Sequence, residues 1–156
     1  MAQRDLQAEL KQTRPFRSRA QEAYLSIQRT AAVLEHAFES ALKPSGITAT
    51  QYNVLRILRG AGADGLCRNE VGERLVRPVP DVTRLLDRLE SMNLIARTRG
   101  GDDRRYVTTR ITRAGLKVLD QLDDAIDAIH DAQFGHLDDR RLKTLIDLLG
   151  AVRQGG

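Results

Sequence analysis

Residues 77–111, RPVPDVTRLLDRLESMNLIARTRGGDDRRYVTTRI, constrain the fold of this chain more than any other stretch. Val82, Leu85, Leu86, Leu89 and Met92 recur at steps of three and four, which places them on one stripe of an α-helix. Asp81, Thr83, Arg84, Asp87, Arg88 and Ser91 are left on the open face. Pro80 suits the first helical turn, where a missing N–H costs nothing. Asn93 stands just past the helix, at a position that takes a left-handed conformation, and Asn tolerates it better than any residue but Gly. Residues 94–99 and 104–112 then alternate and are rich in β-branched side chains, with Gly100-Gly101-Asp102-Asp103 as the turn between them. The stretch reads as a short amphipathic helix followed at once by a hairpin.

Charge makes the hairpin distinctive. Residues 94–113 carry six arginines (97, 99, 104, 105, 110, 113) against two aspartates (102, 103), a local +4 that equals the net charge of the whole chain. Residues 114–156 carry five basic and eight acidic side chains, so the carboxyl-terminal part is acidic. This asymmetry is what a polyanion-facing surface with a solvated rear requires. Aromatic content of 4% and no Trp argue against stacking platforms for single strands. Defence of an exposed hairpin edge is the competing account of the arginines.

The 156 residues support one core. The single cysteine excludes an internal disulfide framework. The amino terminus has no apolar signal core, and no apolar run approaches the roughly 20 residues of a membrane span, so the expected location is cytoplasmic. Residues 1–14 form an arm that Arg14-Pro15 separates from the rest of the chain. From Phe16 to Leu42 apolar positions at helical spacing predict a long helix. Thr48-x-x-Gln51 is a capping box launching a short helix through Tyr52, Val54, Leu55 and Leu58. The next helix covers 69–76, with Glu70 three residues after Cys67, where a capping box places its acid. Two short helices, a turn and a third helix with a polar face make a helix-turn-helix, and the hairpin makes it winged. Thr112 caps a further helix to about Phe134, with a coiled-coil-like seam at Leu119, Leu122, Ile126, Ile129 and Gln133 and a second stripe at Leu116, Val118 and Ala125. Asp138 caps a last helix carrying Leu142, Leu145, Ile146, Leu148 and Leu149.

GITATQYNVLRIL, VTRLLDRLESMNLI, the wing string DDRR and ITRAGLKVL lie in order along the chain. With this pattern, over about residues 16–149, the sequence resembles the MarR family of winged-helix transcription regulators. The resemblance implies a fold that is mostly α with a small β-hairpin wing, a winged helix-turn-helix flanked by dimerisation helices. It implies an arm at 1–15, a dimerisation region at 16–43 and 113–156, and a DNA-binding lobe at 44–112. Two such lobes in a homodimer grip a pseudo-palindrome in double-stranded DNA, as a repressor, and a small-molecule effector releases it. The implied DNA-facing residues are Asp81, Thr83, Arg84 and Arg88 on the helix and Asp103, Arg104 and Arg105 in the wing, one of the two arginines entering the minor groove; Arg77 completes the set. Two departures from the family pattern are Asn93, in place of a glycine, and Cys67, in place of a hydroxyl N-cap.

Each assignment has a plainer rival. Arg84 and Arg88 can instead pair with Asp81, Asp87 or Glu90 on their own helix. Cys67, beside Arg68 near a helix start, is either a redox-active thiol or a tolerated small residue. Tyr24, His36 and Tyr52 line an effector pocket or belong to the core. His36, His130 and His136 are too far apart for a local chelating motif, so no metal or cofactor is expected. No nucleophile elbow, Gly-rich phosphate loop or paired carboxylates suggest an enzyme. The alternative function is a winged-helix module for protein contact, without specific DNA binding.

Overall fold

The computed structural model describes residues 5–100 and 107–155. It divides into two units, Met1–Phe38 and Glu39–Gly156.

The first unit holds α1 (Leu6–Glu9) and most of α2 (Arg19–Leu42). The expected arm thus contains one helical turn, capped by Asp5, whose carboxylate accepts from the Gln7 N–H at 3.1 Å. Glu9 of α1 pairs with Arg29 of α2 at 3.8 Å. Helix α2 starts three residues later than the apolar spacing suggests. Ser18 is the reason, because its hydroxyl accepts from the Gln21 N–H at 3.1 Å and so supplies the acceptor a helix start needs.

The second unit carries α3 (Ala49–Ala61), α4 (Arg68–Arg74), α5 (Val82–Ser91), β1 (Ile95–Arg99), β2 (Val107–Ile111), α6 (Arg113–Phe134) and α7 (Asp139–Gln154). The capping box at α3 is complete: Thr48 Oγ1 accepts from the Gln51 N–H at 3.2 Å, and Gln51 Oε1 accepts from the Thr48 N–H at 2.9 Å. Val54, Leu55, Leu58, Val71, Leu89 and Leu119 are fully buried and define the core. Helix α3 packs against α4, α6 and β2, and α5 packs against α4 and β1. Arg59 ties α3 to α6 through a bidentate pair with Asp123, at 2.8 and 3.2 Å. Its guanidinium holds the Asp123 carboxyl below its ordinary pKa, first through the hydrogen bond.

Strands β1 and β2 are antiparallel, with Ile95 opposite Ile111 and Arg97 opposite Thr109. Leu66, just before α4, adds a rung, exchanging backbone hydrogen bonds with Thr109 at 2.9 and 2.7 Å. Gly65 permits that approach: its φ is +68°, and a Cβ there would lie 2.6 Å from the Thr109 carbonyl oxygen.

Helix α6 runs from its Thr112 cap to Phe134, as its sequence predicts. Leu119, Leu122 and Ile126 are buried within the unit, where α6 packs on α3, and the period alone did not say what covers them. Helix α7 has no buried residue, and Ile146, Leu148 and Val152 are 63%, 62% and 62% exposed. No helix among the described residues is long and apolar enough to cross a membrane.

Candidate nucleic-acid interface

Helix α5 is built to present one face. Its cap is Asp81, whose Oδ1 accepts from the Arg84 N–H at 2.9 Å, so Pro80 lies before the cap and outside the first turn. A side-chain acceptor decides the start, where proline only tolerates it. The helix ends in a Schellman motif. Asn93 takes φ +58°, its N–H donates to Glu90 O at 2.9 Å, and the Leu94 N–H donates to Leu89 O at 3.1 Å. Leu86 and Leu89 face the core, while Thr83, Arg84, Asp87, Arg88 and Ser91 are exposed.

The carboxylates of α5 are all engaged, and none of them by the side chain of Arg84 or Arg88. Asp81 caps the helix. Glu90 accepts from Arg97 of β1 through the backbone N–H at 3.2 Å and Nε at 2.9 Å, and Asp87 accepts from Arg97 Nη2 at 2.6 Å. The Glu90 carboxyl sits below its usual pKa, chiefly because the Arg97 side chain donates to it. Among the described residues the Arg84 and Arg88 guanidinium groups make no ion pair. The plainer account of this pair, neutralisation along the helix, therefore fails on geometry. Two arginines one turn apart stand on an open face, with none of the helix's own carboxylates to neutralise them.

The hairpin arginines divide into two kinds. Arg97 is a clamp between α5 and β1. Arg110 is another: it donates to Ala63 O at 2.6 Å, Asp64 O at 3.2 Å and Thr98 Oγ1 at 3.1 Å, fastening β2 to the turn after α3. Arg99 and Arg113 are exposed. Asp103, Arg104 and Arg105 lie outside the described residues. Arg77, exposed in the link between α4 and α5, has interactions of its own.

A sequence profile described as MarR family matches residues 45–105. A MarR transcription factor from Planctomyces limnophilus, solved as a crystal structure, is 38% identical, over 88% of this chain and 99% of that one, with a TM-score of 0.67. The chain belongs to the MarR family. FarR of Neisseria gonorrhoeae, an HTH-type transcriptional regulator, is 25% identical over 138 residues, 88% of this chain and 93% of its own length. A mutant MarR from E. coli complexed with operator DNA is 25% identical, over 95% of this chain and 98% of that one, with a TM-score of 0.75. Membership of this family, whose relatives are named as transcriptional regulators, places the chain among regulators and apart from enzymes.

Cys67 is the N-cap of α4 and half-buried; its N–H donates to Glu70 at 2.7 Å, which is the largest cause of the lowered Glu70 pKa. Tyr24 and His36 lie in the first unit, both exposed, whereas Tyr52 is buried in the second, where its hydroxyl accepts from Arg56 at 3.3 Å. Neither unit brings the three together. Among the described residues no group of three or more His, Cys, Asp or Glu is placed to hold a metal ion. Sequence reasoning missed Arg68. It treated this residue only as a neighbour of Cys67 and began the helix at Asn69, whereas α4 starts at Arg68.

Proposed function

We propose that this MarR-family chain is a homodimeric, sequence-specific DNA-binding regulator, a cytoplasmic repressor of a pseudo-palindromic operator that a small ligand releases. The observation that carries the DNA reading is the commitment of Asp81, Asp87 and Glu90 elsewhere, which leaves Arg84 and Arg88 open on the recognition face. An arginine in the major groove can hold guanine O6 and N7 bidentately. The E. coli relative bound to operator DNA is consistent with that use of the fold. Support for release by a ligand is a cleft of about 490 Å³ beside α5, lined by Cys67, Leu86, Arg97 and Thr109 among others, a volume in the range of small-ligand sites.

Selection of binding sites from a pool of random duplexes tests the reading. The wild-type protein is expected to enrich a pseudo-palindrome with half-sites ~34 Å apart. Arg84→Ala is expected to relax the preference at one base pair in each half-site, a loss of about 1–3 kcal/mol of discrimination per site. A pool that remains random after repeated rounds would sink the specific-regulator reading.

Dimerisation is supported by α7, on which Leu145, Leu148 and Val152, at steps of three and four, share an apolar face left exposed among the described residues. Sedimentation equilibrium should find the wild type dimeric and the double variant Leu148→Glu, Val152→Glu monomeric. A dimer that survives both charges excludes this face as the interface.

A further inference from the structure

Arg68 is the first residue of α4, and its side chain crosses to α5. Its Nε and Nη2 donate to Asn69 Oδ1 at 3.3 and 3.1 Å, and its Nη1 donates to Thr83 Oγ1 at 3.3 Å. A guanidinium has five N–H donors in a planar fork. Three are used here, which leaves one N–H on Nη1 and one on Nη2 for an external acceptor. The group is exposed, and among the described residues it makes no ion pair. It borders an open cleft of about 570 Å³ between α4 and α5, whose acids are Asp81 and Glu73. Asp81 is committed to its cap, and Glu73 forms no ion pair with Arg68.

An arginine fixed at two points with a donor left on each terminal nitrogen is arranged for a planar or tetrahedral oxyanion. In a helix-turn-helix the helix before the recognition helix crosses the sugar-phosphate backbone. We propose that Arg68 is a backbone-phosphate contact, held in place by Asn69 and Thr83, that sets the register of α5 in the groove. This rests on the DNA reading above and gives Thr83 a second duty: its hydroxyl oxygen accepts from Arg68 while its own hydrogen is still available to DNA. Arg68 positions the helix and Arg84 and Arg88 read bases, so their losses have different signatures.

The test is operator binding across a range of salt concentration, for wild type, Arg68→Ala and Arg68→Lys, with melting curves to show that each variant is folded. Removing a single phosphate interaction reduces the slope of log K against log salt by about 0.9. Arg68→Ala is expected to flatten the slope by about 1 for each copy of the residue engaged, and to weaken operator and random duplex by the same factor. Arg68→Lys keeps a point charge without the fork, so it should retain the wild-type slope with reduced affinity. A wild type with clear operator preference whose slope Arg68→Ala leaves unchanged overturns the assignment of Arg68 alone. A wild type with no operator preference defeats the DNA reading and this inference with it.

Discussion

Replacing Gly115 by alanine is expected to lower the melting temperature of the protein by roughly 2–8 °C, where helix propensity alone forecasts a rise. Gly115 lies in the first turn of α6, buried, its N–H donating to Thr112 Oγ1 at 3.1 Å. In an unobstructed helix interior, Gly→Ala gains about 1 kcal/mol. Here a Cβ would press into the backbone carbonyl oxygen of Leu94, far inside van der Waals contact, and lie 2.7 Å from Ile111 Cγ1. The carbonyl is not free to retreat, because it accepts the Thr112 N–H at 3.1 Å and Leu94 and Ile95 are both buried. Overpacking of this kind costs about 1–3 kcal/mol, more against backbone than against a side chain that can turn, so the clash outweighs the propensity gain. Gly60 supplies the control. It is an exposed α3 residue with nothing within 4 Å of its missing Cβ, so Gly60→Ala should raise the melting temperature. Both variants are to be compared at one protein concentration, since association shifts the apparent stability. A Gly115→Ala protein as stable as wild type means that the junction between β2 and α6 yields, contrary to this account.

That junction also marks where sequence reasoning reaches its limit. Signals closed within four or five residues were legible: the Thr48–Gln51 box, the left-handed Asn93, and the Thr112 cap all occur where the sequence puts them. The exposed face of α5 was legible for the same reason, because helical period alone separates Arg84 and Arg88 from Leu86 and Leu89. What no local pattern encodes is the partner of a charge or of an apolar stripe. Arg97 and Arg110 looked like two more cations for DNA until Glu90, Asp87 and the carbonyls of Ala63 and Asp64 were seen to claim them. The seam of α6 was recognised as apolar, yet its burial within the unit is a fact of tertiary packing. Arg68 went unnoticed because its fixing residue, Thr83, stands fifteen positions away on another helix.

The other large effect is expected at Arg97. Arg97→Ala should weaken operator binding roughly 10–100-fold, about 1.4–2.8 kcal/mol, without removing any group that touches DNA. Arg97 is only 24% exposed and neutralises Glu90 and Asp87, two carboxylates on the helix that carries Arg84 and Arg88. Its loss strips β1 of its tie to α5 and turns both carboxylates into unpaired negative charges beside the DNA phosphates, which like-charge contact penalises. Asp87→Asn with Glu90→Gln in the Arg97→Ala background should therefore restore much of the affinity, a coupling that a phosphate-contacting arginine cannot show. The same clamp has an acid limb. Because the folded-state Glu90 pKa is depressed, its contribution to stability is fully present above the ordinary glutamate range and is lost as pH falls through the lower folded value. Wild type and Arg97→Ala should accordingly differ in denaturant midpoint near neutral pH and converge as pH falls below the ordinary glutamate range, through the lowered folded value. Equal binding losses in the single and the triple variant would make Arg97 a DNA contact, and a stability gap that persists in acid would assign its effect to packing of its aliphatic stem.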